Sequence, residues 1–225
     1  TYESIKGDYK GFEKDGVVEA LPYLTENTKY LMDENDALSM DFKDQRVVVL
    51  GGGDTAMDCV RTALRQGAKK VTCVYRRDFE NMPGSRKEVK HAMEEGVEFL
   101  FNHQIIEAKG DDKLSELIAE ETELFGNDGS GRKKPKVKEG TQKKIELDKL
   151  VIAFGYQASP QEFFVNKRIN VDEWGLIQLN NDKFKYQTSN EKYFAGGDMI
   201  IGSSLAVYAI AHGRDAAKEI IKYLN

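Results

Sequence analysis

The chain has 225 residues, 40% of them hydrophobic and 32% charged, the composition of an ordinary soluble protein able to bury a substantial core. A formal net charge of −5 argues against a nucleic-acid surface, and no apolar run approaches the roughly 20 residues of a membrane span. Two cysteines, Cys59 and Cys73, and three scattered histidines, His91, His103 and His212, lack the spacing of a metal site, and two isolated thiols suit a cytoplasmic protein.

Residues 1–20 are polar and glycine-bearing and read as an irregular lead-in. Leu21, Leu24, Thr28 and Leu31 then recur at helical spacing, followed by a polar link. Residues 46–50 (Arg-Val-Val-Val-Leu) are a short β-branched run, the pattern of a strand buried on both faces. Three glycines interrupt it, and Ala56, Met57, Val60, Ala63 and Leu64 mark one face of a helix that Gly67 is placed to end. Residues 70–75 form the next strand. Ser85 and Glu88 have capping-box spacing before a helix that buries Val89, Ala92 and Met93 and ends at Gly96. Residues 97–101 are a third strand, so the order β-α-β-α-β predicts a parallel sheet with right-handed crossovers and with residues 47–50 at its centre.

Beyond residue 104 the pattern changes. Residues 114–124 and 144–150 read as an antiparallel pair joined by a polar loop, and the basic run from Arg132 to Lys138 reads as solvated loop. Residues 150–154 form another strand ending at Gly155, residues 192–195 a short one, and residues 204–224 a final helix. Trp174 beside Gly175 is expected to pack at a turn. The fold class expected is α/β: a Rossmann-like dinucleotide-binding domain with a parallel sheet and an antiparallel hairpin.

Gly51-x-Gly53-x-x-Ala56 fits the dinucleotide fingerprint. Gly51 permits a tight turn out of the strand, Gly53 has no Cβ to block a pyrophosphate, and Ala56 lets helix and strand pack closely. Gly52, Asp54 and Thr55 complete the loop, whose phosphates would meet free N–H groups and the positive end of a helix dipole. The bland alternative is a structural turn, since turns collect glycine. Where an NAD-selective protein carries an acidic residue after the second strand, this chain has Arg76 and Arg77, with Arg86 one loop further on. Guanidinium groups grip a 2′-phosphate that a carboxylate would repel, which selects NADPH. Against this stand Asp78, directly after the arginines, and the reading of two solvated arginines.

The stretch Gly51-Gly52-Gly53-Asp54-Thr55-Ala56-Met57-Asp58-Cys59, with Tyr75-Arg76-Arg77-Asp78 and Asn81-Met82-Pro83-Gly84-Ser85-Arg86, closely resembles the small (β) subunit of bacterial NADPH-dependent glutamate synthase. Glu94 to Phe99, Ala195-Gly196-Gly197-Asp198-Met199 and Gly213-Arg214-Asp215-Ala216-Ala217 extend the resemblance over nearly the whole chain. It implies a flavin oxidoreductase in which an NADPH domain (residues 46–155) is inserted into a split flavin domain (residues 1–45 and 156–225). Carried over, Gly197 and Asp198 would approach the FAD pyrophosphate and ribityl chain, Ser204 and Leu205 would face the flavin ring, and Ala153-Phe154-Gly155 would lie near the nicotinamide. Hydride would pass from NADPH to FAD, and electrons onward to the glutamate synthase large subunit or a similar acceptor. The resemblance also implies cysteine-rich iron–sulfur segments and a first FAD fingerprint, which the chain lacks, so on its own it is expected to hold no FAD and to be inactive. The competing function is a stand-alone NADPH-binding module without turnover.

Overall fold

A computed structural model describes residues 2–129, 131–180 and 182–225. The chain divides into two compact units, one of residues Ile5–Gly155 and one of Thr1–Ser4 with Tyr156–Asn225. In chain order the elements are β1 (Tyr2–Ser4), β2 (Val17–Glu19), α1 (Ala20–Leu31), β3 (Arg46–Leu50), α2 (Asp54–Arg65), β4 (Lys70–Tyr75), α3 (Arg86–Glu94), β5 (Glu98–Phe101), β6 (His103–Lys109) and β7 (Glu116–Asn127). They continue with β8 (Lys133–Val137), β9 (Lys143–Glu146), β10 (Lys149–Ile152), β11 (Tyr156–Ala158), α4 (Phe163–Asn166), α5 (Asp198–Ile201) and α6 (Ala206–Leu224).

The larger unit is built on a five-stranded parallel sheet in the order β2-β10-β3-β4-β5, with β3 in the middle. Alternate residues of β3 serve two cores. Val47 and Val49 pack with Ala56, Met57, Val60 and Val89 from α2 and α3, whereas Val48 and Leu50 pack with Ile105, Leu117, Ala119 and Leu147 on the opposite face. That double burial is why the strand reads as an unbroken apolar run. The second covering layer is an antiparallel sheet in which β7 pairs with β6, β8 and β9.

Several sequence expectations change here. The compact unit holding the glycine loop spans Ile5–Gly155, and β2, which falls within the expected lead-in, adds to β10 as a fifth parallel strand. Residues 144–150 are not one strand: they split into β9 and β10, which belong to different sheets. The basic run is no loop, since Lys133–Val137 pairs with the far half of β7. On α1 the buried residues are Ala20 and Tyr23, the latter stacked on Phe42 at 4.4 Å, while Leu21 and Leu31 face outward. The capping box does not form: the Ser85 side chain makes no cap bond, and Glu88 pairs with Arg61 of α2 instead. Met93, expected in the core, is exposed.

In the smaller unit β1 pairs antiparallel with β11, and Phe164, Ile169 and Ile177 form a modest core against Val171, Tyr193, Ala195, Met199 and Ile200. Residues 192–195 make a single bridge, Gln187 to Phe194, rather than a strand. Trp174 is exposed; the turn beside it is held by Asp172, whose carboxylate accepts the N–H groups of Trp174 and Leu176, both at 2.9 Å. Among the described residues no helix is long and apolar enough to cross a membrane, and no group of His, Cys, Asp and Glu is placed to hold a metal ion.

Candidate nucleotide site

At the C-terminal edge of the parallel sheet lies a cavity of about 440 Å³. Gly51, Gly52, Gly53 and Thr55 line it, with Arg76 and Arg77 after β4 and Ala153, Phe154 and Gly155 after β10. The site therefore opens where the strands of an open α/β sheet end, the usual place for a ligand in such folds.

The loop geometry follows from close approaches. Gly51 has φ +144°, and a Cβ there would sit 2.2 Å from the Ala153 carbonyl oxygen. A Cβ on Gly52 would strike the Tyr75 ring at 2.6 Å. Gly53 differs, because nothing lies within 4 Å of its would-be Cβ. Gly53 is also the N-cap of α2, and no side chain caps that helix. The first N–H groups of a helix have no intrahelical acceptor, so α2 offers donors and positive dipole over a surface that glycine leaves open. A dinucleotide pyrophosphate fits these features: it needs backbone donors, little steric bulk and a positive field. Ala56 is fully buried behind the loop and lets α2 approach the sheet.

Asp54 turns away from the cavity; its carboxylate accepts the Ser85 N–H at 2.7 Å and, with Gly84 N–H donating to Gly52 O at 2.9 Å, ties the loop after β4 to the glycine turn. The three arginines have three fates. Arg76 is exposed along the cavity wall. Arg77 is only 5% exposed, and its guanidinium donates to Lys133 O at 2.6 Å and to Asp128 at 2.7 Å, so it secures the β7–β8 hairpin. Arg86 lies over the Phe79 ring at 4.4 Å and donates to the carbonyls of Phe79 and Glu80; it pins its own loop and does not line the cavity. Asp78, the carboxylate that weighed against a 2′-phosphate, accepts the Asn81 N–H at 2.9 Å and the Asn81 side-chain amide at 2.6 Å.

The Phe154 ring lies tilted against Tyr9, 6.0 Å between centroids, and Gly155 has φ +95° with open space at its Cβ position. Sequence reasoning missed Tyr9, His103, Gln104 and Arg132, which also line the cavity. These come from the lead-in and the antiparallel layer, where no motif marks them.

Gly197, Asp198, Ser204 and Leu205 all lie in the smaller unit. Gly197 has φ +69°, where an L side chain is strained, its N–H donates to His212 Nδ1 at 3.1 Å, and a Cβ there would crowd Ala209 Cβ of α6 at 3.1 Å. The Asp198 carbonyl accepts the Tyr2 hydroxyl at 2.7 Å. Ser204 and Leu205 are exposed before α6, which has no side-chain N-cap bond.

Cys59 and Cys73 are both free and buried. Burial pushes the Cys59 thiol well up and the Cys73 thiol up to about 12, so neither is an available nucleophile.

The family profile of pyridine nucleotide-disulphide oxidoreductases matches residues 8–213. The chain is 47% identical to the glutamate synthase (NADPH) small chains of Halomonas elongata, over 230 residues, and Escherichia coli, over 231 residues, with 100% of this chain and 48% and 49% of those proteins covered. It thus spans about half the length of the curated relatives it matches. Two solved structures share the fold at low identity. Lactococcus lactis thioredoxin reductase gives a TM-score of 0.71 at 22% identity, with 99% of this chain and 63% of that one covered. Mycobacterium tuberculosis FprA in complex with NADPH gives 0.72 at 17%, with 96% and 60% covered.

Proposed function

The chain belongs to the pyridine nucleotide-disulphide oxidoreductase family, and from that premise we propose that Ile5–Gly155 is the NADPH-binding unit of a flavin oxidoreductase of the glutamate synthase small-chain type. The observation that carries this reading is the convergence, on one cavity, of the open Gly53 position, the uncapped start of α2 and the exposed Arg76. The backbone of Gly51 to Thr55 receives the pyrophosphate. Arg76 meets the 2′-phosphate, unopposed by Asp78, whose carboxylate is taken up by Asn81. Ala153, Phe154 and Gly155 border the nicotinamide end. Tight positioning rather than acid or base chemistry is what hydride transfer asks of the protein.

Bound FAD would supply a two-electron hydride acceptor that can release electrons one at a time. Gly197 and Asp198 are proposed to approach its pyrophosphate and ribityl chain, and the N–H groups near Ser204 and Leu205 to face the ring, where the positive end of α6 favours the anionic reduced form. The rest of that site is assigned to the additional length of the relatives, so the chain alone is expected to purify without the flavin band near ~450 nm. The onward acceptor is proposed to be a glutamate synthase large subunit, in the cytoplasm. A second reading, an NADPH-binding module without turnover, draws on the self-contained core of Ile5–Gly155, covered on both sheet faces.

Calorimetric titration with NADPH and NADH tests the first step. We expect NADPH to bind about 10²-fold more tightly, with the margin shrinking as salt rises, and Arg76→Ala to remove most of it while leaving NADH unchanged. Equal affinities in the unmodified protein would rule the assignment out. Stoichiometric co-purified FAD would show that the chain completes a flavin site by itself, and NADPH oxidation with ferricyanide would then exclude the binding-only reading.

A further inference from the structure

One wall of the nucleotide cavity comes from the antiparallel layer. Arg132, at the turn between β7 and β8, lines the cavity together with Arg76 and Arg77. Its backbone is held there by a set of hydrogen bonds, partly buried where Arg77 contributes. Arg77 lies beneath the hairpin and binds both of its arms, Lys133 through the carbonyl and Asp128 through the carboxylate. The Lys133 N–H donates to Asn81 Oδ1 at 3.0 Å, which ties the turn to the loop that follows β4. Within the turn, Asp128 N–H donates to Arg132 O at 2.7 Å and Arg132 N–H donates to Asp128 Oδ1 at 3.1 Å. The hairpin end is thereby fastened to the same stretch that carries Arg76. The one carboxylate at the turn, Asp128, faces the Arg77 guanidinium, which cancels its repulsion of an anion.

We propose that Arg132 is a second guanidinium ligand of the nucleotide's 2′-phosphate, delivered by the β7–β8 hairpin, and that Arg77 is the positioning residue that holds it in place. The proposal rests on the NADPH reading of the cavity. It assigns the ribose phosphate to a clamp with one arm from each sheet layer, Arg76 from the parallel sheet and Arg132 from the antiparallel one. A planar group that donates in pairs to a phosphate from two sides discriminates by geometry as well as charge. The Lys-rich strand that follows (Lys133, Lys134, Lys136) supplies a diffuse positive field instead, weak at physiological salt.

The full chain is titrated with adenosine 2′,5′-bisphosphate and with adenosine 5′-phosphate, and the ratio of affinities isolates the 2′-phosphate. Arg132→Gln should lower the bisphosphate affinity about tenfold and leave the monophosphate unchanged, with partial recovery in Arg132→Lys. Arg77→Gln should lower the same ratio although its guanidinium is spent on the hairpin; Asp128→Asn, a milder change at the same contact, should do so too if Arg77→Gln fails to fold. Lys134→Gln should leave the ratio unaltered. A ratio in Arg132→Gln within about twofold of the unmodified protein would overturn the proposal, as would an equal loss in Lys134→Gln, which would indicate the general field of the strand. An unmodified protein without preference for the bisphosphate would overturn the NADPH reading itself, a result distinct from a selective protein indifferent to Arg132.

Discussion

At Gly51 the chain leaves β3 with φ +144° and passes so close to β10 that a Cβ would overlap the Ala153 carbonyl, whereas at Gly53 the same missing Cβ faces open space. Gly51 is needed by the fold, whereas Gly53 is the glycine that the proposed nucleotide reading assigns to the ligand. Gly51→Ala should therefore cost about 2–3 kcal/mol of stability, visible as a lowered denaturation midpoint. Gly53→Val should shift stability by about 1 kcal/mol, the scale of an N-cap change, yet abolish NADPH binding in calorimetry. A Gly53→Val protein that binds NADPH normally would remove the pyrophosphate from this loop. Beneath the turn, the Cys73 thiol donates to Gly51 O at 3.3 Å and is pushed up to about 12 by burial. It stays protonated at any pH where the protein is handled, so its modification by a disulfide reagent at pH 8 should track global unfolding rather than reagent concentration.

Among the elements, β3 and β10 share a fastening at their N-terminal ends. The Asp148 carboxylate accepts the Arg46 N–H at 2.8 Å and two guanidinium bonds at 3.1 and 2.9 Å, and this holds its carboxyl below the usual carboxylate range. A carboxyl lowered on folding contributes stability above its unfolded pKa of about 3.9, and that contribution is lost as pH falls through the folded value. Both partners are partly exposed, so Asp148→Asn should cost only about 1 kcal/mol at pH 7. The difference from the unmodified protein should close as pH drops below about 4 in urea melts; a penalty independent of pH would point to packing instead.

Legibility also differed by element. β3, β4 and β10 are covered on both faces and so announce themselves as apolar runs, and the glycine loop is marked by the strand and helix on either side of it. β8 gave no such signal. It is an edge strand on β7, rich in lysine and interrupted by Pro135, which cannot donate to a ladder, and these edge-protecting features make its sequence look like a loop. Arg132 was hidden for the same reason: its place at the cavity depends on the register of β7 with β8, not on any local pattern. Arg77 and Arg86 had the right residue type near the right strand, but bonds to Lys133, Asp128, Phe79 and Glu80 took them up.

Over the whole molecule, the two compact units differ in how much apolar surface they bury. Ile5–Gly155 has two cores flanking one sheet, with Val49, Met57, Val60, Leu117 and Leu150 all fully buried. Among the described residues, the unit of Thr1–Ser4 and Tyr156–Asn225 has a core cluster of three buried residues, and Ala216 is the one buried residue of α6. Along that helix Val207, Ile210, Ile221 and Leu224 are exposed, Ile210 to 72%. Burial of apolar area is the main favourable term in folding, about 25 cal/mol per Å², and α6 collects little of it here. Local stability should follow that distribution. In native-state hydrogen exchange, amides of α6 should exchange well before those of β3 and β4, by about 10²-fold or more, as an opening costing some 3 kcal/mol less would give. Urea unfolding followed by Trp174 fluorescence, which reports the smaller unit, should have its midpoint below that followed by far-ultraviolet circular dichroism. Coincident midpoints together with α6 amides protected as strongly as those of β3 would show that the two units unfold as one and that the sparse core of the smaller unit does not govern its stability.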